Sequence, residues 1–337
     1  MRAFVVNELA HPSKIALNNN TPEPKAGANQ VLVDVYSVGL NFFDILQAQG
    51  KYQHKPPLPF TLGTEFAGRI SQDSPIPEGC GLRRGQRVFG AQIGAFADKV
   101  AADPDRVIAL PDNVSFEQGA GLFITWPTSY EALIGRAELK KDEWVLVTAA
   151  AGGVGIAAVQ IAKAIGAKVI AAAGSTEKIE VAKRFGGADH GINYSNAGWQ
   201  KEVLKITGGH GVDVVYDPVG LINDCLKCIA WKGRALVIGF AGGTIEKVPM
   251  NLVLLKNISL VGLHWGAYSV HEPDHMLKVW EDILAMFSSG TVRPVIYDEI
   301  YSLERLVDGL AALEKRQTWG KAVVRVKDEK TGERAKL

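Results

Sequence analysis

Cysteine is scarce in this chain: 337 residues contain three, Cys80, Cys225 and Cys228. Three thiols cannot build a disulfide framework, and their scarcity suits a reducing compartment. Cys225 and Cys228 form a C-x-x-C, but it sits at helical spacing beside Leu221, Leu226 and Ile229, with no second pair and no nearby histidine. It reads as part of a packed helix rather than as a metal or redox pair. An excess of charge is missing too. Thirty-seven basic against 36 acidic residues leave a net charge of +1, so nothing in the charge balance calls for nucleic acid. No apolar stretch approaches the ~18 residues of a membrane span without a turn glycine or a charge. The opening MRAFVVNELA lacks the basic start and long apolar core of a secretory signal. With 47% hydrophobic and 22% charged residues, the chain has the balance of a soluble globular protein, long enough for about two domains.

What is present is concentrated in Trp144 to Gly155, WVLVTAAAGGVG, followed by IAAVQIAKAIGAKVIAAAG. An apolar run of strand length stops at a glycine turn, a helical pattern follows, and Lys168 to Ala173 supplies a second apolar strand: a βαβ unit. Aligned on G-x-G-x-x-G, the turn reads Ala150-Ala151-Gly152-Gly153-Val154-Gly155, with alanine in the first glycine position. A backbone that passes close to a pyrophosphate cannot carry bulky Cβ groups, and the helix must start close against the strand. The free N–H groups and the positive end of the helix dipole then hold phosphates. This marks a dinucleotide site; the bland alternative is an ordinary tight turn.

Residues 1–124 alternate short strands with Gly and Pro clusters, which predicts a compact antiparallel barrel. SFEQGAGLFITWPTSYEALI opens on a Ser N-cap and predicts two helical pieces broken near Pro127. Residues 125–265 alternate strand and helix, with strand candidates WVLVTAA, AKVIAAA, HGINY, VDVVYDPVG, RALVIGF and ISLVGL. These predict a doubly wound parallel sheet. From 266 to 337 the helix DHMLKVWEDILAMFSSG and the strands VIYDEIY and KAVVRVK are expected to complete the first domain, leaving the second inserted.

Several separated motifs stand in a distinctive order: GLNFFDILQAQGKY, LPFTLGTEFAGRI, GQRVFG, FEQGAG, AAAGGVG, GGADHGINY, VVYDPVG and RQTWGKAVV. Through them residues 1–326 resemble the zinc-independent quinone oxidoreductases, the zeta-crystallin-like branch of the medium-chain dehydrogenase/reductase superfamily. The resemblance implies an α/β protein with a GroES-like β-barrel domain and a Rossmann domain. Where zinc-dependent relatives place a cysteine ligand this chain has Asn41, and where they place His before Glu it has Thr64 before Glu65. The cysteine-rich structural loop is also absent, so no soft ligand set remains for zinc. Hydride delivery to an already polarised quinone or enone needs only alignment and hydrogen bonds to the developing oxyanion. The expected chemistry is therefore NADPH-driven reduction of an electron-poor conjugated carbonyl.

About twenty residues past the turn, an acidic residue would grip the ribose 2′-hydroxyl of NAD. Gly174 stands there, with Lys178 nearby and Glu177 the one discordant charge. Loss of the carboxylate favours NADPH. The resemblance places Lys178, Tyr194 and Ser175 on the phosphate and adenine side, and Thr128, Gly239 and Phe240 around the nicotinamide. It matches Arg316 to an arginine that closes over the cofactor. It also places Asn41 near the nicotinamide, where an amide both donates and accepts without titrating. Asp44 follows three residues later, as a catalytic neighbour or as a brace for the loop. Tyr52 matches a tyrosine that polarises or protonates substrate in related enoyl reductases, or else lines the loop. Each cofactor assignment stands beside a plain packing or surface role.

Three readings of function follow. The first is an NADPH-dependent quinone reductase, and the second a 2-enone, 2-enal or enoyl-thioester reductase using the same cofactor site. The third is a cofactor-binding structural or nucleic-acid-binding crystallin-like protein, against which the near-zero net charge argues for the nucleic-acid part. The apolar ISLVGLHW is an edge that needs covering, and with the resemblance it predicts a homodimer. The expected location is cytoplasmic. The closing Ala335-Lys336-Leu337 differs by one small residue from the Ser-Lys-Leu peroxisomal address, so a peroxisomal matrix protein and a frayed polar tail both stand.

Overall fold

The computed structural model describes residues 1–329; the tripeptide Ala335-Lys336-Leu337 lies outside them. The chain divides into two units, Met1–Ile124 with the chain from Ile296 onward, and Thr125–Val295.

In the first unit Val31, Val33 and Val35 are buried while Asp34 and Tyr36 are only partly covered, the alternation of a strand with one face in a core. This strand, Val31–Gly39, is the centre of a sheet whose order is Tyr301–Ser302, Val323–Arg325, Val31–Gly39, Glu65–Ile70, Arg87–Ala91, Val107–Ala109, with Lys99–Ala102 also paired to the central strand. All of these pairings are antiparallel except Tyr301–Ser302 with Val323–Arg325. Val33, Val35, Val38, Phe66, Val100 and Val324 meet in its core. The register aligns Gly39 with Glu65 on one side and with Val323 on the other. That brings the ends of three distant segments together.

The second unit holds a six-stranded sheet in the order His190–Asn193, Lys168–Ala173, Trp144–Val147, Val212–Asp217, Ile229–Val237, Ser259–Gly262, parallel throughout. All six strand candidates are in it. The strand order reverses beside Trp144–Val147, so the glycine turn leaves the sheet at the switch point where such folds bind ligands. The valines and alanines of Trp144–Val147 and Lys168–Ala173 are almost wholly buried, as strands covered on both faces must be.

Three expectations are corrected. The return to the first unit comes at Ile296, not at 266, because the helix Pro273–Ser288 packs on Thr125–Tyr130, with Trp126 edge-on to Phe287 at 4.7 Å. The helical break falls at Ala120–Ile124, between Phe116–Gly119 and Thr125–Tyr130, whereas Pro127 lies in the first turn of the latter, where a missing N–H costs nothing. VIYDEIY is strand only at its last residue, which opens Tyr301–Ser302, apart from a bridge between Ile296 and Lys321. Of the two cysteines, Cys225 ends the short helix Ile222–Cys225 and Cys228 follows it; both are buried. Burial raises both thiols, Cys228 to about 12, which leaves them unreactive.

Candidate functional site

The turn after Trp144–Val147 is built from backbone. Gly152 is the N-cap of the helix Gly153–Ile165, whose first N–H groups, at Gly153, Val154 and Gly155, have no partner within the helix. A Cβ at Gly155 would lie 2.3 Å from the Ala149 carbonyl oxygen, whereas one at Gly152 would lie 3.3 Å from the same atom. Of these two, Gly155 is the one where a Cβ would clash outright. The alanine in the first motif position, Ala150, is fully buried and bonds its N–H to the Ala172 carbonyl. Its neighbour Ala149 takes the left-handed conformation, φ 46°, which costs a side-chain-bearing residue free energy. The cradle suits a pyrophosphate.

The helix Thr125–Tyr130, which carries Thr128, is tied to this turn. The Ser129 hydroxyl lies 2.8 Å from the Val154 carbonyl and 3.0 Å from the Tyr216 hydroxyl. At the end of Lys168–Ala173, Gly174, Ser175, Lys178 and Tyr194 come together. Ser175 caps the next helix by accepting from the Lys178 N–H at 3.3 Å, and a Cβ at Gly174 would touch the Tyr194 ring at 3.5 Å. That ordinary contact means Gly174 is not demanded sterically; its effect is to leave the position without a carboxylate. Gly239 and Phe240 follow Ile229–Val237, with Phe240 41% exposed. Arg316 belongs to the first unit, in left-handed backbone beyond the helix Leu306–Glu314.

Sequence reasoning missed Asp217, which is buried. It accepts the Thr148 hydroxyl at 2.5 Å and the N–H groups of Val219, Gly220 and Leu221 at 3.0, 3.1 and 2.6 Å. One carboxylate thereby folds the loop at the end of Val212–Asp217, beside the switch point. The Asp-Pro-x-Gly at a strand end was the available signal.

The first unit builds its site from side chains. Asn41 sits at the N-cap of the helix Phe42–Ala48. Its Nδ2 donates to Glu65 Oε2 at 2.8 Å, and its Oδ1 accepts from Lys321 Nζ at 2.7 Å. Lys321 also pairs directly with Glu65 Oε2, whose other oxygen accepts the Ile124 N–H at 2.8 Å. Glu65 is fully buried and Lys321 nearly so. The lysine stem runs in a groove of bare backbone: a Cβ on Gly121 would lie 2.6 Å from Lys321 Cγ, and one on Gly39 would lie 2.9 Å from its Cε. Neither Glu65 nor Lys321 was expected to take part. Lys321 opens an apolar run, KAVVRV, and a lysine there looks like a solvated strand end.

Asp44, wholly buried, accepts the Asn41 N–H at 2.8 Å. Burial drives its carboxyl up from 3.8 to about 8, against the opposing pull of that hydrogen bond and of the Lys321 charge. Its second oxygen, Oδ1, has no hydrogen-bond partner. Tyr52 stacks on Phe43 at 5.2 Å. Burial, and then the Asp44 charge, raise its phenol above the usual range.

A family model described as zinc-binding dehydrogenase matches residues 153–282, and one described as alcohol dehydrogenase GroES-like domain matches residues 27–112. Quinone oxidoreductase-like protein 2 of Rattus norvegicus is 38% identical over 330 residues, 97% of this chain and 92% of the relative. The chain belongs to the zinc-independent quinone oxidoreductase branch of the medium-chain dehydrogenase/reductase superfamily. Human quinone oxidoreductase is 31% identical over 91% of this chain and 92% of its own. A crystal structure of Escherichia coli quinone oxidoreductase complexed with NADPH superposes with a TM-score of 0.85 at 30% identity, covering 96% of this chain and all of that one. The two units are accordingly a GroES-like domain and a Rossmann domain. The zinc in the first model's description does not fit the residues at Asn41 and Glu65. Their polar atoms are engaged by the Lys321 ammonium, a positive charge in the place where a metal ion would need their lone pairs. Among the described residues no group of three or more His, Cys, Asp or Glu is gathered to hold a metal, and no helix is long and apolar enough to cross a membrane.

Proposed function

We propose that this protein is an NADPH-dependent reductase of quinones. The carrying observation is the Gly155 cradle in a chain that matches an NADPH-bound quinone oxidoreductase over nearly its whole length. The Gly152–Gly155 turn would hold the pyrophosphate, with Gly174, Ser175, Lys178 and Tyr194 receiving the 2′-phosphate and adenine side. Thr128, Gly239, Phe240 and Arg316 are proposed around the rest of the cofactor. NADPH, when bound, supplies the hydride. Hydride addition to a quinone leaves the negative charge on the far oxygen, where the amide of Asn41 donates a hydrogen bond, and a solvent proton completes the hydroquinone.

A specific observation favours reduction of an enone as a second activity: Tyr52 is held by stacking on Phe43, and among the described residues none hydrogen-bonds its hydroxyl, which leaves it available to the enolate that hydride addition produces. The test is NADPH oxidation by the full chain across 1,4-benzoquinone, naphthoquinones, simple enones and enoyl-CoA esters. Turnover of quinones supports the first reading and turnover of enones alone the second. Absence of NADPH binding in a fluorescence titration overturns both, and equal catalytic efficiency with NADH overturns the cofactor assignment. A homodimer through the sheet edge Ser259–Gly262 is also proposed, supported by the exposed Met250, Leu254 and Leu255 on the preceding helix and tested by light scattering. Three free thiols support a reducing compartment. Microscopy of an N-terminal fluorescent fusion separates cytoplasm from peroxisome.

A further inference from the structure

The amide of Asn41 is useful to a developing oxyanion in only one of its two orientations. With Nδ2 toward the substrate it donates; flipped, it presents Oδ1, which repels the charge. The neighbours decide between them. An ammonium can only donate and a carboxylate can only accept, so Lys321 holds Oδ1 at 2.7 Å while Glu65 holds Nδ2 at 2.8 Å. A flip would set N–H against ammonium and carbonyl oxygen against carboxylate. Nδ2 carries two hydrogens and Glu65 takes one; no described residue takes the other, and Asn41 keeps 8% of its surface open.

We propose that Lys321 and Glu65 are positioning residues that lock the Asn41 amide, so that its second Nδ2 hydrogen is the donor to the oxygen of the reduced substrate. The lock is built into the fold. Gly39 and Gly121 leave room for the lysine stem, and the Ile124 N–H anchors the far oxygen of Glu65. Lys321 also draws electron density toward Oδ1, which makes the amide N–H a stronger donor. A cation buried behind the amide, hydrogen-bonded to its oxygen, thus takes over part of the charge stabilisation that a metal would give directly.

The inference rests on the quinone reductase reading, and its test separates the two. The full chain is compared with the neutral pair Glu65→Gln/Lys321→Met, which leaves no buried charge unpaired, and with Lys321→Ala assayed with and without methylammonium. The wild type should show one Asn41 amide proton slow to exchange and one fast, by ¹⁵N-resolved NMR against Asn41→Asp, and the neutral pair should lose that difference. With menadione and NADPH, kcat of the neutral pair should fall on the order of 100-fold, the usual effect of losing an oxyanion donor. Its affinity for NADPH should be unchanged, and methylammonium should restore part of the loss in Lys321→Ala. A neutral pair with wild-type kcat, or with the amide inequivalence intact, overturns the lock. So does a loss of activity that only follows the folded fraction and is not rescued. A wild type that turns over no quinone or enone overturns the functional reading instead, and the amide exchange still decides the orientation.

Discussion

The glycine turn of the second unit and the Asn41 cluster of the first, in the roles proposed for them, would hold a negative charge by opposite means. At Gly152–Gly155 the donors are backbone N–H groups, and the design consists of removing side chains so that the chain can come close. At Asn41 the donor is a side chain, and the design consists of adding charges behind it: Lys321 and Glu65, buried and paired, fix an amide that has no preferred orientation of its own. A backbone site is local and tolerates change everywhere except where a Cβ would intrude. A side-chain network is non-local, and each member depends on the others.

That contrast is most easily broken on the side of the network. Lys321→Met alone leaves the Glu65 carboxylate buried without its cation and should cost about 3–5 kcal/mol of stability. Denaturant unfolding should show most of that loss recovered when Glu65→Gln is added, and no recovery would mean that the two do not act as a pair. On the side of the turn, Gly155→Val forces a Cβ against the Ala149 carbonyl. Overpacking of this kind costs about 3 kcal/mol of folding stability, while Gly152→Ala should leave stability nearer to wild type and weaken NADPH binding, because its Cβ would stand where the backbone approaches the pyrophosphate. Equal melting temperatures for the two variants would remove the steric argument.

Asp44 sharpens the comparison through pH. Its carboxyl rises on folding from 3.8 to about 8, so the native state holds the proton more tightly than the unfolded chain. The associated stability is complete below about pH 4 and is lost as pH rises through about 8. Melting temperatures of wild type should therefore fall, relative to Asp44→Asn, between pH 5 and 9. Parallel curves would show that Asp44 titrates normally. The smallest effect is expected at Ala149, whose φ of 46° suits glycine: Ala149→Gly should stabilise by about 0.5–1 kcal/mol, read as a small rise in melting temperature.

The two regions also differ in how much of them could be read beforehand. Strand, glycine turn and helix are contiguous, and the six strands of the Rossmann sheet stand in the chain as apolar runs between helices, so their pattern is local. Asn41 was recognisable as a residue type in a motif, yet its partners were not: Glu65 lies 24 residues away and Lys321 lies 280. A lysine at the start of KAVVRV looks like any strand-end lysine until the register sets Val323 beside Gly39 and Gly39 beside Glu65. The misplaced boundary at 266 has the same origin. The helix Pro273–Ser288 has the pattern of an amphipathic helix wherever it packs, and only its seat on Thr125–Tyr130 assigns it to the second unit.

Sequence alone determined the local backbone features of the second unit: where the six strands of its sheet fall, which turn lacks side chains, and that no acidic residue stands at Gly174. These depend on neighbours within a few positions. Tertiary structure decided the charges: that Glu65 and Lys321 are buried and paired, that Asp44 is driven up to about 8, and that Asp217 gathers the loop at its strand end. Burial and pairing are properties of distance in space, and an electrostatic energy in a low-dielectric interior depends on that distance rather than on separation along the chain.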